Sequence, residues 1–120
     1  MAEKQSKRVR VPETVFDRDH LAHYTMDDPE LEREIVSLFL AQLPSILDSL
    51  LKASSRDDWR FATHTLKGSA FAIGACKIGA IAKKLEAVQN FENSERRQKL
   101  YRGLLLAVEE FNEVSRSLYA

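Results

Sequence analysis

Apolar residues recur at three- and four-residue intervals through most of the chain, the spacing that gathers them on one face of a helix. Leu31, Ile35, Leu38, Phe39, Leu43, Ile46, Leu47 and Leu50 make one broad face. Trp59, Ala62, Leu66, Ser69, Ala70 and Ile73 make a second, and Ile78, Ile81, Leu85 and Val88 a third. Leu100, Leu104, Ala107, Val108, Phe111, Val114 and Leu118 run as a long fourth stripe. The two-residue alternation of strands is scarce, and Gly and Pro are few. The fold class is all-α.

Local signals place the ends. Asp28-Pro29-Glu30 combines a cap, a proline at the first helical position and an acid in the first turn, so a helix is predicted from there to about Lys52. Pro44 lacks a backbone donor and is predicted to bend it. Ser54-Ser55-Arg56-Asp57-Asp58 reads as a turn and cap, with either serine placed to pair with the aspartate three residues on. The next helix spans about Arg56 to Ile73, and Gly74 supplies its stop. Another runs from Ala75 to about Asn90. Its Gly79, Ala80 and Ala82 allow close approach, and Lys83 and Lys84 form its solvated face. Asn93-Ser94 caps the last helix, with Glu95 in its first turn. A short helix precedes all of these, capped by Asp17, with Phe16 placed to pack on Leu21. Four long amphipathic helices with short loops are expected to close as an antiparallel up-down four-helix bundle, the short helix covering one end. Residues 1–12, with Lys4, Lys7, Arg8 and Arg10, read as a flexible basic N-terminal arm, and residues 13–120 as a single helical domain.

Composition narrows the classes. A chain of 120 residues suits one domain with one modest core. Its 18 Lys and Arg balance 18 Asp and Glu, which gives no reason to expect nucleic acid or an anionic membrane as partner. We expect no transmembrane span and no secretory signal, because the basic N-terminus is not followed by an apolar stretch. The single Cys76 suits a reducing cytosol, so a cytoplasmic location is expected. His20 and His23, three residues apart, have no third metal ligand at suitable spacing and read as surface histidines.

The chemistry concentrates at His64-Thr65-Leu66-Lys67-Gly68-Ser69-Ala70. Each helical residue turns by about 100°, so Lys67 lies roughly 60° to one side of His64 and Gly68 roughly 40° to the other. Asp57, Arg60, Phe61 and Phe71 share that half, opposite the core stripe. His64 is therefore expected in water on a packed helix, with a cation one turn on. Glycine within a helix costs roughly 1 kcal/mol relative to alanine. Its place beside His64 clears an approach for a bulky partner. An exposed nucleophile, a neighbouring ammonium and a cleared approach suit a histidine that accepts a phosphoryl group. An ordinary histidine, with a pKa of about 6.5, is mostly neutral and nucleophilic at cytosolic pH. Phe61 and Phe71 either tuck against neighbouring helices or form an apolar docking patch with Arg60 at its rim; docking is the expectation. No glycine-rich nucleotide loop, Walker string or magnesium-binding acid cluster is present, so no autonomous kinase activity is expected.

His64-x-Leu66-Lys67-Gly68-Ser69-Ala70-x-x-Ile73-Gly74 resembles the signature of histidine-containing phosphotransfer (HPt) domains, and Leu85-Glu86 on the next helix also resembles that family's pattern. Phe71 departs from it, since many relatives carry a small residue there. The resemblance implies that His64 takes a phosphoryl group from a receiver-domain aspartate and passes it to another receiver in a multistep phosphorelay. It further implies attack through the ring nitrogen farther from the backbone, with Lys67 contacting the phosphate. Glu86 is either an orienting partner of the imidazole or an ordinary surface carboxylate. Implied partners are a hybrid histidine kinase upstream and a response regulator downstream, the receiver bringing Mg²⁺ and this chain binding no cofactor or metal. Other readings are a non-phosphorylated adaptor that docks and inhibits a receiver or kinase, and the phosphotransfer domain of a chemotaxis-type kinase. The starting methionine and the complete helix set favour a free-standing carrier, and a monomer is expected because the last helix completes the bundle within one chain.

Overall fold

The protein is described here by a computed structural model, over residues 14–88 and 94–119. The basic arm, Asn93 and the predicted last turn of the fourth helix at residues 89 and 90 lie outside the described residues. Five helices and no strand occur among the described residues: α1 (Arg18–Thr25), α2 (Pro29–Lys52), α3 (Arg56–Ile73), α4 (Cys76–Glu86) and α5 (Glu95–Tyr119).

The helix starts follow their capping chemistry. Asp17 accepts from the His20 N–H at 3.2 Å. Asp28 accepts from the Glu30 and Leu31 N–H groups at 3.0 and 3.3 Å. Of the two candidate serines, Ser55 is the N-cap of α3 and accepts from the Asp58 N–H at 3.0 Å, while Ser54 donates to the Asp58 carboxylate. Ser94 accepts from the Arg97 N–H at 3.1 Å at the head of α5. Each bond to a backbone N–H satisfies a donor that the helix itself leaves unpaired. α2 continues as helix through Pro44. α4 ends at Glu86, earlier than its predicted span.

α3 packs on α4 and on α2; α4 packs on α5, and α5 contacts α2. α1 lies against α2 and α3. The core between them holds Phe39, Leu43 and Leu50 from α2, Trp59, Leu66 and Ala70 from α3, Ile78 and Leu85 from α4, and Leu104 and Phe111 from α5. Phe16 sets its ring edge-on against Phe111, 5.2 Å between centroids.

The apolar face of α2 is wider than its core. Leu31 and Leu38 are exposed, contrary to the sequence expectation, while Val36 and Glu32 are buried. Glu32 lies seven residues before Phe39 and so shares its face. Its carboxylate accepts from Arg18 Nε at 3.2 Å, Thr25 Oγ1 at 3.3 Å and the Tyr119 hydroxyl at 3.1 Å. Burial, then this hydrogen bond, pushes the Tyr119 phenol above its ordinary pKa. Length and composition alone would let α2 cross a membrane, which the sequence reading excluded. Its packing on α1, α3 and α5 and its buried, bonded Glu32 make it a core helix of the fold.

Two joints fix α3 beneath its exposed face. At its C-terminus Gly74 adopts φ 89°, and its N–H closes on Ala70 and Phe71. Its carbonyl accepts from the Asp17 N–H at 2.7 Å, and the first turn of α4 is held where the Lys77 backbone N–H donates to the Thr14 carbonyl at 2.8 Å. A side chain at position 74 would meet the Asp17 backbone. Nearer the start of α3, the buried Trp59 indole donates to the Leu85 carbonyl at 3.1 Å. The Arg97 guanidinium covers its ring at 4.6 Å and donates to the Leu50 carbonyl. Trp59 thus joins α3 to the last turn of α4, and Arg97 joins α5 to the end of α2.

Candidate functional site

Trp59, Ala62, Thr63, Leu66, Ala70 and Ile73 bury one side of α3. The periodicity that buries them turns Arg60, Phe61, His64 and Gly68 outward. The His64 side chain is 71% exposed on a helix anchored at both ends. Thr63, not anticipated in the core, is buried with its hydroxyl bonded to the Trp59 carbonyl at 2.9 Å.

One carboxylate organises the exposed groups. Glu86 Oε1 accepts from Lys67 Nζ at 2.7 Å, and Glu86 Oε2 lies 3.3 Å from His64 Nδ1. An ionised carboxylate only accepts hydrogen bonds, so the second contact calls for a proton on Nδ1. The neutral ring then keeps its lone pair on Nε2, away from the carboxylate. The Lys67 ammonium above all holds the Glu86 carboxyl below its ordinary pKa; burial opposes it, and the weaker His64 contact adds to the lowering. Glu86 therefore lies within reach of both His64 and Lys67. Its reach across the α3–α4 contact follows from the Trp59–Leu85 bond, which fixes the residue just before Glu86.

Gly68 is open: a Cβ built there meets nothing within 4 Å. No packing contact requires glycine at this position, and the space beside His64 is free. Phe61 is 76% exposed and Arg60 is exposed next to it. Phe71 follows the other alternative to an exposed docking patch and tucks against a neighbouring helix. It is half-buried, its ring lying over Gly79 of α4 so closely that a Cβ on Gly79 would stand 2.9 Å from the ring. The absent side chain of Gly79 makes the seat for Phe71, which leaves Phe61 as the exposed aromatic of this face.

A groove of about 370 Å³ adjoins Glu86, lined by Arg56, Trp59, Arg60, Glu86, Ala87 and Val88. Arg56 was not among the sequence candidates, although its place four residues before Arg60 sets the two on one helix face. Among the described residues, no three His, Cys, Asp or Glu side chains gather to hold a metal ion. His20 and His23 both face Tyr24, at ring-centroid distances of 5.2 and 6.3 Å.

The arrangement brings together an exposed imidazole, a carboxylate and an ammonium beside an open glycine. The phosphorelay intermediate protein rdeA of Dictyostelium discoideum is 28% identical over 102 residues, which cover 82% of this chain and 40% of that protein. The chain thus spans about two fifths of the length of the curated relative it matches. No solved structure gives a significant match. The family model of the Hpt domain matches residues 34–116, from the second turn of α2 to the last turns of α5, with His64, Lys67, Gly68 and Glu86 inside the match; the chain belongs to the Hpt domain family.

Proposed function

We propose that the protein is a histidine phosphocarrier of a multistep phosphorelay. His64 Nε2 attacks the phosphorus of a receiver-domain aspartyl phosphate. The N–P bond forms as the P–O bond breaks, and that electron pair leaves on the receiver's aspartate. The reverse step, with a second receiver, passes the group on. A hybrid histidine kinase upstream and a response regulator downstream are the partners of this reading. The receiver brings Mg²⁺, and the chain acts as a monomer in the cytoplasm without kinase activity of its own. The helices form an antiparallel up-down bundle, a reading supported by Lys77 pairing with Glu110 while Ile81, further along α4, faces Gly103, earlier in α5.

The observation that carries the proposal is the exposed His64 ring with Nδ1 3.3 Å from Glu86 Oε2, which supports Nε2 as the attacking nitrogen. Phosphoryl transfer asks for little more than positioning and positive charge near the moving group. Lys67 supplies the charge, and Gly68 the clearance. Phe61, Arg60 and the half-buried Phe71 form the docking face.

The test is incubation with a receiver domain bearing a labelled phosphoryl group. Label is expected to move to the chain, to survive alkali and to be lost in acid. His64→Gln is expected to abolish uptake while leaving the helical circular-dichroism signal and thermal midpoint nearly unchanged, because exposed substitutions usually stay within about 0.5 kcal/mol. No transfer from a panel of receivers that bind the chain would favour the inhibitory adaptor instead.

A further inference from the structure

We propose that Glu86 competes with the phosphoryl group for Lys67 and so raises the tendency of His64 to give that group away; the proposal rests on His64 being the carrier. In the resting site the Lys67 ammonium is already engaged, 2.7 Å from Glu86 Oε1, with both side chains about a quarter exposed. The pair is a matched anion and cation, so a second anion would have to share the Lys67 ammonium with Glu86.

Transfer changes this balance. The Nε2 lone pair becomes the N–P bond, the Nδ1 proton stays in place, and a near-dianionic phosphoryl group arrives beside Lys67. The ammonium must then leave Glu86 for the phosphoryl oxygens, share itself between them, or remain and leave the phosphoryl group without a partner. Every arrangement is worse than one in which Lys67 had been free. The cost falls on the phosphorylated state alone, because the resting state keeps its short ion pair.

Glu86 also has an influence of opposite sign. Its other oxygen faces Nδ1, and a carboxylate there favours the positive charge that the phosphorylated ring carries. That contact is longer, 3.3 Å, and its imidazole is 71% exposed, so water screens it more than the 2.7 Å contact to the mostly covered ammonium. Competition for Lys67 therefore outweighs it, and Glu86 poises the site toward donation. At the effective dielectric of a partly covered site, one unit charge a few ångströms away is enough to change an equilibrium by roughly tenfold.

The experiment measures the equilibrium of label between the full chain and one phosphorylated receiver. Wild type, Glu86→Gln, Lys67→Met and the double variant are compared, with forward and reverse rates recorded. The glutamine keeps the length of the side chain and an oxygen for Nδ1–H, while losing the charge. Glu86→Gln is expected to shift label toward the chain by roughly five- to tenfold, and the shift is expected to vanish when Lys67 is methionine, as coupled neighbours require. Equal slowing of both rates at an unchanged equilibrium would overturn the proposal and leave Glu86 as an orienting residue only. A shift toward the receiver, or a shift that survives without Lys67, would overturn it as well. Wild type that takes no label at all would instead sink the carrier reading, a result separate from a wild type that takes label with an equilibrium indifferent to Glu86.

Discussion

On the proposed function, Gly68 sets stability against phosphoryl transfer at a single residue. Its open surroundings mean that Gly68→Ala meets no clash within the molecule. Alanine should raise stability by about 1 kcal/mol, the usual difference in a helix interior. The same methyl narrows the approach to His64, so phosphoryl uptake should slow while thermal unfolding moves upward. A glycine retained for packing would give the reverse. Glu86 yields a pH prediction with a definite sign. Its carboxyl is held below the ordinary value, so the stability from its pair with Lys67 is fully present above the ordinary glutamate pKa of about 4.3 and lost as pH falls through the lowered value. A pH titration of the Glu86 carboxyl carbon by NMR should place its midpoint below that of a free glutamate, and Lys67→Met should move it upward. The line of His64, Lys67 and Gly68 is legible in the sequence because it follows from helix angle alone. The seat of Phe71 is not, because it depends on Gly79, a residue of another helix that only packing brings beneath it.

The helices behave as rigid bars whose ends are set locally, and that is why α2 and α3 are readable before folding is considered. Asp28, Pro29, Ser55 and Gly74 act through hydrogen bonds and backbone angles within a few residues of themselves. Gly74 carries two such demands, a left-handed backbone and close contact with Asp17. Gly74→Ala should destabilise the protein by about 1–3 kcal/mol, combining the steric cost of the left-handed region with displacement of the Asp17 backbone. A shift of the urea midpoint at constant slope would register it. The buried face of α2 is less legible. Leucines stand on both sides of its core line, and periodicity does not say which will be covered. Leu31 and Leu38 stay exposed among the described residues, whereas Glu32, polar by type, falls in phase with Phe39 and is enclosed.

Across the whole molecule, Glu32 draws together pieces far apart in the chain: Arg18 and Thr25 from α1, itself from α2, and Tyr119 from the last turn of α5. The Arg18 guanidinium also lies 5.5 Å from the centre of the Tyr119 ring. The sequence does not announce such a closure, since Glu32 and Tyr119 alone are 87 positions apart. Tyr119→Phe should cost about 0.5–1.5 kcal/mol for one neutral donor, and Glu32→Ala about 1.5–3 kcal/mol for bonds to a charged group. Both losses should appear in denaturant melts. Both variants should still take up phosphoryl label, because His64, Lys67 and Glu86 stand on α3 and α4.

Trp59, finally, is the only tryptophan of the chain. Its indole N–H holds the carbonyl next to Glu86, a guanidinium lies over its ring, and it lines the groove beside the site. These features make it an intrinsic optical gauge. A partner that settles over Arg56 and Arg60, or a movement of α4 against α3, would change the field at the indole and hence its emission wavelength. Engagement of a receiver could then be followed in real time by fluorescence, with no dye attached.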